Sequence, residues 1–200
     1  MKYLSPLYPF LAGWALLLST DALAYISLTN GLLQLLLFAL VVCLPTWLTG
    51  RMSYVDIGWP WGLTLIGVLT FFLSDGNPIR VAVVSGAYVF AGSRMGLDAL
   101  RMWRSGELKT ELPRYAFQQR RWERAGKTNV KLSMQVEGIL QGLGNASFLA
   151  MPALIIASNP SNSVSIFEVI GLLLWLMAFG LEALADHQKH AFLRAMKAAG

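Results

Sequence analysis

The sequence predicts an all-helical bundle of transmembrane helices that forms one domain over residues 1–200. Two observations predict this fold class. Hydrophobic residues make up 56% of the chain and charged residues only 14%, with a mean hydropathy of +0.53, whereas a soluble domain carries about 25% charged residues. The hydrophobic residues also form runs long enough to cross a bilayer, which takes about 20 residues of helix. We therefore expect an integral membrane protein.

Six transmembrane helices are predicted along the chain. They occupy residues 7–28, 31–50, 57–74, 79–100, 136–157 and 164–186. The connections at residues 29–30, 75–78 and 158–162 contain Asn, Asp, Gly, Pro and Ser, which are typical of turns. The third span is short, and we expect it to be tilted or partly broken.

The distribution of cations predicts the orientation. Nine of the 16 Lys and Arg residues lie between Arg101 and Lys131, in one polar segment between spans. Cytoplasmic loops are enriched in Lys and Arg, so we expect residues 101–135 to form a cytoplasmic loop. Both termini then face the cytoplasm, as in a protein of the bacterial inner membrane. Because the net charge of +5 is concentrated in this loop, it does not indicate nucleic-acid binding.

The N-terminus has two interpretations. Lys2, the apolar run after it and Ala22-Leu23-Ala24 resemble a cleavable signal peptide. Pro6, Pro9 and Asp21 are unusual in such a peptide and favour an uncleaved first span.

Two helices are predicted at the edges of the cytoplasmic loop. Span four is expected to continue to Arg104 and to end at Gly106, because glycine commonly terminates helices. A second helix is expected to begin near Pro113, to run to Arg124 and to end at Gly126.

The loop itself has two interpretations. The structural one is an amphipathic surface against anionic lipid headgroups, with Tyr115, Phe117 and Trp122 at the interface. The functional one is a cationic rim that holds a phosphate-bearing cofactor through arginine side chains.

An acidic residue stands at the start of the third span. Asp56 lies among aromatic residues and glycines in residues 53–62, and acidic residues inside membranes are costly. The structural interpretation is a helix cap or an ion pair with Arg51. The functional interpretation is an acid that forms a hydrogen bond with the carbonyl group of a bound molecule.

Two further carboxylates close the last apolar run. Glu182 and Asp186 are four residues apart and share one helical face, and Lys189 and His190 continue that stripe. Acids near the end of a span usually face a polar cavity or a bound group. His187 and His190 are the only histidines, and no third ligand stands at a useful spacing, so no metal site is predicted.

Three segments in this order resemble one known family. They are residues 53–59 with Asp56, residues 111–115 in the arginine-rich loop, and residues 180–192 with their Ala-Asp, Gln and Lys. Together they resemble the bacterial relatives of steroid 5-alpha-reductase, over residues 50 to 195.

The resemblance implies a seven-helix membrane fold, with six of the helices in this sequence, and NADPH as the hydride donor. Members of the family reduce a carbon–carbon double bond conjugated to a carbonyl in a steroid or another apolar, lipid-like substrate. By this resemblance, Asp56 is the catalytic acid at the carbonyl. The implied cofactor-binding residues are Asp186, Glu182, Arg94, Lys189, Arg114 and Tyr115.

The sequence departs from the family pattern in two places. The steroid enzymes carry a carbonyl-binding tyrosine three residues before Arg94, where this chain has Ala91. Tyr88 and Tyr54 are the candidates to replace it, and the difference argues against a steroid as the substrate. The family also continues after Asp-x-Gln-Lys with a Gly-Leu-Trp segment, an Arg-His-Pro-Asn-Tyr run and a further helix. The resemblance therefore places much of the dinucleotide site after Gly200 and predicts weak cofactor binding by these residues alone.

Three functions remain open on the sequence. The first is an NADPH-dependent reductase of an enone-type lipid, or a fragment of one. The second is a membrane methyltransferase that uses S-adenosylmethionine, because such enzymes resemble the reductases in their C-terminal part. The third is a non-catalytic membrane protein whose basic loop contacts lipids or a partner. Residues 186–189 favour the reductase, while substrate identity and oligomeric state do not follow from the sequence.

Overall fold

The computed structural model describes residues 7–199. The chain divides into two compact units, with the division between Pro160 and Ser161. Within the described residues all regular secondary structure is helical, which confirms the predicted class. The α-helices are α1 (Tyr8–Leu18), α2 (Asp21–Phe38), α3 (Leu44–Thr49), α4 (Val55–Leu73), α5 (Pro78–Ser105), α6 (Pro113–Arg124), α7 (Val130–Ala146), α8 (Ala150–Ala157) and α9 (Ile166–Ala199). A π-helical segment, Ala39–Cys43, joins α2 to α3, and a short 3-10 turn, Glu107–Lys109, follows α5.

Four helical stretches in the described part of the chain are long and apolar enough to cross a membrane, so this is a membrane protein. They are Asp21–Thr49, Val55–Leu73, Val130–Ala157 and Ile166–Met196. Six were predicted. The first of these is shortened to α1, whose 11 residues are about half the length that a span needs. The predicted fourth span lies in α5, whose 28 residues are long enough but include Arg80 and Arg94, which make it less apolar than the other four.

The first turn lies earlier in the chain than predicted. α1 ends at Leu18, and Thr20 is extended, with φ −125° and ψ 136°, immediately before α2. Thr29 and Asn30, which were predicted to form the turn, lie inside α2. That prediction was wrong because both side chains find partners in the folded protein. Thr29 Oγ1 donates to the carbonyl of Tyr25 at 2.8 Å, and Asn30 is fully buried against α7.

The structure describes only some of the residues that resemble a signal peptide. Residues 22–24 lie inside α2, while Lys2 and Pro6 lie outside the described residues.

The fifth predicted span starts earlier than expected and is interrupted. α7 begins at Val130 and ends at Ala146, and Ser147 leaves the helical conformation with φ −119° and ψ −90°. A helix break at membrane depth leaves carbonyl groups that need partners from the protein. The Asn30 side-chain amide lies 3.5 Å from the carbonyls of both Asn145 and Ala146. Polar groups from α2 therefore stabilise the break.

Helices α4 and α5 approach each other closely through glycine. A Cβ added at Gly92 would lie 2.6 Å from the carbonyl oxygen of Pro60, and one added at Gly67 would lie 2.7 Å from that of Ser85. Small residues allow such backbone contact between membrane helices. The arrangement fixes α4, whose first turn carries Asp56.

The predicted boundaries of α5 and α6 are confirmed. Asn77 caps α5 by accepting a hydrogen bond from the backbone N–H of Ile79 at 3.0 Å. α5 ends at Gly106, which has a positive φ of 83°. α6 spans Pro113–Arg124 as predicted, and Gly126 follows with φ 74°.

The second unit contains α9. Its N-terminus is closed by reciprocal bonds, since Ser165 N donates to Glu168 Oε2 at 2.8 Å and Ser165 Oγ accepts from Phe167 N at 3.2 Å. The rings of Trp175 and Phe179 stack along the helix with centroids 5.3 Å apart. The helix includes the sixth predicted span and continues to Ala199.

Candidate functional site

Asp56 is held by two side chains of α6. The hydroxyl of Tyr115 donates to Asp56 Oδ1 at 2.6 Å, and the Arg114 guanidinium donates to Oδ2 in an ion pair. The guanidinium also lies over the Tyr115 ring, 5.2 Å from its centroid. We call these three residues the Asp56 cluster. The structure thus brings the predicted catalytic acid together with two of the predicted cofactor-binding residues.

Local sequence explains why these side chains meet. Asp56 lies in the first turn of α4, where the helix dipole favours a negative charge. Pro113 is the first residue of α6, which suits proline because its missing N–H is not needed there. Arg114 and Tyr115 therefore follow in the first turn of α6. The cluster is formed where two helices begin.

The cluster has a defined protonation state on its α6 side. Burial raises the pKa of the Tyr115 hydroxyl, and the charge of Asp56 and the hydrogen bond to it raise that pKa further. Burial alone would lower the pKa of Arg114, but the charges of Asp56 and Tyr115 and the hydrogen bonds with them together outweigh burial, and the pKa is raised. Tyr115 is therefore a neutral hydrogen-bond donor and Arg114 a cation at neutral pH.

The ion-pair partner of Asp56 differs from the one predicted. The sequence predicted that Asp56 either pairs with Arg51 or caps its own helix. Arg51 instead donates to the carbonyl of Leu108 at 2.9 Å and to the hydroxyl of Tyr54 at 3.2 Å, and no side chain caps α4. Arg114, 58 residues along the chain, takes the position at the acid. Proximity in sequence was misleading because α6 folds back onto the start of α4.

The structure also distinguishes the tyrosines. Tyr88 and Tyr54 were the predicted replacements for the family tyrosine missing at Ala91. The Tyr88 hydroxyl donates to the carbonyl of Leu149 at 2.6 Å, while that of Tyr54 accepts from Arg51. Tyr115 is the tyrosine that contacts Asp56.

A second carboxylate, that of Glu111, lies beside the Asp56 cluster. Glu111 was not among the site residues predicted from the sequence. Glu111 accepts hydrogen bonds from Met52 N at 2.6 Å, Ser53 N at 3.1 Å and Ser53 Oγ at 2.5 Å. It also accepts from Leu112 N at 3.2 Å and Gln119 Nε2 at 2.7 Å. The sequence signal for Glu111 was an acidic residue just before the Leu-Pro start of α6. This signal did not reveal its role, because its partners, residues 52–53, are distant in sequence.

Three buried amides support the next turns of α4. Gln34 Nε2 donates to the carbonyl of Gly62 at 2.8 Å and to Asn30 Oδ1 at 3.2 Å. Asn145 Nδ2 donates to the carbonyl of Trp59 at 3.1 Å. All three amide side chains are fully buried. The sequence signal for this network was the presence of Asn and Gln inside apolar runs. The network was not predicted, because Asn30 was interpreted as a turn residue.

Comparison with known proteins assigns the family. Residues 37–200 match the family model described as a protein of unknown function, DUF1295. The chain belongs to the DUF1295 family. No curated protein and no solved structure matches it. The DUF1295 match includes Asp56, Glu111 and α6 as well as α9, whereas the relation to steroid 5-alpha-reductase stays a prediction.

The remaining predicted residues of this DUF1295 protein are on α5 and α9. Arg94 is half-buried on α5, one turn before the ion pair between Asp98 and Arg101, whose atoms lie 2.6 Å apart. The other three predicted cofactor residues are on α9, in the second unit: Glu182, Asp186 and Lys189. The side chain of His190, which continues their stripe in sequence, lies outside the described residues. Among the side chains that the structure describes, no group of three or more His, Cys, Asp and Glu residues is placed to hold a metal ion.

Proposed function

We propose that this DUF1295 protein is an NADPH-dependent membrane reductase, or part of one. It would reduce a carbon–carbon double bond conjugated to a carbonyl in an apolar, lipid-like substrate. The observation that supports this proposal is the Tyr115 hydroxyl held 2.6 Å from Asp56 at the start of an apolar helix long enough to cross a membrane. A neutral hydroxyl beside an ion pair is suited to polarising a carbonyl oxygen.

In this reaction the protein must stabilise the negative charge that develops on the carbonyl oxygen of the substrate. NADPH, when bound, supplies a hydride to the β carbon, and the α carbon then takes a proton from solvent. During this reaction the carbonyl becomes an enolate. The Tyr115 hydroxyl can redirect its hydrogen bond from Asp56 to the enolate oxygen, and the positive charge of Arg114 lowers the energy of the anion. Before the substrate binds, Asp56 orients both groups through its hydrogen bonds with them, and once the Tyr115 hydroxyl has turned to the substrate, Asp56 still holds Arg114.

The donor set of α6 fits a phosphate-bearing cofactor. Arginine forms bidentate hydrogen bonds with phosphate, and the side chain of Arg114 remains 63% exposed while it is paired with Asp56. Three further arginines on the same helix are exposed: Arg120, Arg121 and Arg124. These cations would hold the phosphates. From the resemblance, we propose Arg94, Glu182, Asp186 and Lys189 as additional cofactor contacts.

The proposed partners follow from the membrane setting. An apolar substrate would enter from the bilayer, and anionic lipids would contact the cationic loop when no cofactor is bound there. We also propose that residues 101–135 and both termini face the cytoplasm of a bacterial inner membrane. No nucleic-acid partner is proposed.

The test uses the full chain in lipid nanodiscs. Binding is followed by NADPH fluorescence, and turnover by NADPH oxidation with a panel of apolar enones. Tyr115→Phe should lower turnover by about 100-fold, a typical loss when one hydrogen-bond donor to a developing oxyanion is removed. Asp56→Asn, which removes the carboxylate that orients this donor, should also lower turnover, and both variants should keep an affinity for NADPH close to that of the wild type. Tyr25→Phe is the matched control, because Tyr25 is exposed on α2, and it should retain full activity.

Two results would contradict the proposal. One is the absence of any NADPH binding by the wild-type protein. The other is turnover that survives both substitutions at the Asp56 cluster. Transfer of a labelled methyl group from S-adenosylmethionine, measured in the same nanodiscs, would instead identify the methyltransferase.

A further inference from the structure

We propose that Glu111 is a positioning residue for the Asp56 cluster. Its carboxylate ties the start of α6 to the turn before α4 and so sets Tyr115 and Arg114 against Asp56. The consequence for turnover rests on the proposed function, but the geometric claim can be tested without it.

The carboxylate connects two segments with both of its oxygens. Oε2 accepts from the backbone of Met52 at 2.6 Å and from the side chain of Gln119 at 2.7 Å. Oε1 accepts from the backbone and hydroxyl of Ser53 at 3.1 and 2.5 Å. The Ser53 hydroxyl in turn accepts from Leu112 N at 3.0 Å. Each segment therefore both donates hydrogen bonds to the other and accepts them from it. We call this set of bonds between Glu111, Leu112 and residues 52–53 the clamp.

Each side of this clamp is one helical turn from the cluster. Asp56 N donates to the carbonyl of Ser53 at 3.2 Å, and Tyr115 N donates to that of Leu112 at 3.0 Å. These backbone bonds leave no flexible link between the clamp and the two functional side chains. A change at Glu111 must therefore displace Tyr115 relative to Asp56.

Other contacts keep the region folded when the clamp is removed. Arg51 still donates to the carbonyl of Leu108 at 2.9 Å, and Leu108 is buried. Trp122 is buried in a cluster with Phe38, Met52 and Met134. This cluster anchors α6 to α2 and α7. Loss of the carboxylate should therefore misplace the start of α6 rather than unfold it.

A spectroscopic experiment tests the displacement directly. The protein contains 6 tyrosines, so labelling with 3-fluorotyrosine places six ¹⁹F probes, and Tyr115→Phe identifies the resonance of Tyr115. Asp56→Ala gives the shift of that resonance when the hydrogen bond is lost. Glu111→Ala should move the Tyr115 resonance most of the way to this value and leave the resonances of Tyr8, Tyr25 and Tyr88, on α1, α2 and α5, unchanged. Glu111→Gln should give a smaller shift, because its amide can accept bonds on one side only.

The control and a second variant keep the test decisive. Glu123→Ala removes an exposed carboxylate from the same helix and should leave the Tyr115 resonance in place. Ser53→Ala removes only the hydroxyl of the clamp and should move it partly. An unmoved Tyr115 resonance in Glu111→Ala would overturn the inference. So would a general collapse of all resonances in both Glu111→Gln and Ser53→Ala, since it would show a purely structural role.

Turnover provides an independent readout. If the protein oxidises NADPH with an enone, Glu111→Gln should lower kcat by about 10- to 100-fold, as expected for small misplacements of a reacting group. The loss of NADPH affinity should be smaller, because Arg120, Arg121 and Arg124 do not depend on Glu111. If kcat is unchanged, the positioning role is wrong. If the wild type shows no reductase activity, the proposed function fails, and the ¹⁹F result still decides the role of Glu111.

Discussion

Substitution of Gly62 by alanine should destabilise the fold through the buried amide network. A Cβ at this position would lie 2.0 Å from Asn145 Nδ2 and 2.7 Å from Gln34 Oε1. Both side chains are fully buried. Since unstrained non-bonded contacts lie near 3.5–4.0 Å, at least one amide must leave its place.

The cost follows from the bonds that this movement breaks. Gln34 donates to the carbonyl of Gly62 at 2.8 Å, and Asn145 donates to Trp59 at 3.1 Å and to Gln34 at 3.5 Å. Hydrogen bonds between membrane helices contribute about 0.6 kcal/mol each on average, and overpacking adds about 1–3 kcal/mol. Alanine recovers up to about 1 kcal/mol of helix propensity. We expect the free energy of unfolding to fall by about 2 kcal/mol.

Gly86→Ala is the matched control. Gly86 lies on α5, and nothing approaches within 4 Å of a Cβ added there, so alanine should be neutral or should stabilise by up to about 1 kcal/mol. The free energy of unfolding is measured for both variants by titration with SDS in mixed micelles, followed by circular dichroism. Wild-type stability in Gly62→Ala, or an equal loss in Gly86→Ala, would refute the steric argument.

A double substitution tests whether Asn145 is the clashing partner. Asn145→Ala alone should destabilise, because the carbonyl of Trp59 loses its donor. In the presence of Asn145→Ala, the additional cost of Gly62→Ala should be smaller than in the wild type, since the closest atom is gone. Additive costs would place the clash elsewhere.

Three further outcomes follow from the site and its surroundings. Because the pKa of Tyr115 is raised in the folded protein, its stabilising contribution is complete below the pKa of an unfolded tyrosine, about 10, and is lost as the pH rises through the folded-state pKa. Tyr115→Phe should therefore reduce the loss of stability measured by SDS titration between about pH 8 and about pH 11. Gly106→Ala should cost about 1–2 kcal/mol of unfolding free energy by the same titration, because φ is 83° and only glycine adopts this region freely. Trp122→Ala should cost about 3 kcal/mol, since Trp122 is 7% exposed, whereas Phe117→Ala, at a side chain 57% exposed, should cost little.

Local signals in the sequence predicted much of the fold. Gly106, Pro113 and Gly126 were expected to end α5, to begin α6 and to follow its end, and the structure confirms all three. These signals work because they depend on the backbone of one or two residues: glycine at positive φ, and proline where no N–H is needed. The apolar composition likewise indicated a membrane protein.

Polar residues in apolar runs were harder to interpret. Asn30 is typical of a turn, yet it lies within α2 and donates toward the carbonyl of Ala146, 116 residues away. The same amide satisfies a turn or a buried carbonyl equally well, so local sequence does not distinguish the two. The π-helical segment Ala39–Cys43 and the break at Ser147 had no local signal either.

The candidate site shows the same division. Patterns in the sequence pointed to Asp56, Arg114 and Tyr115 as site residues, together with Glu182, Asp186 and Lys189 on the last helix. A sequence match also assigns the chain to the DUF1295 family. The pairing of Asp56 with Arg114 rather than Arg51, and the bonds by which Glu111 joins α6 to residues 52–53, became visible in the folded protein and not before. The reason is physical: helix ends depend on the local backbone, whereas a polar side chain with little access to water takes its partner from whichever helix packs against it.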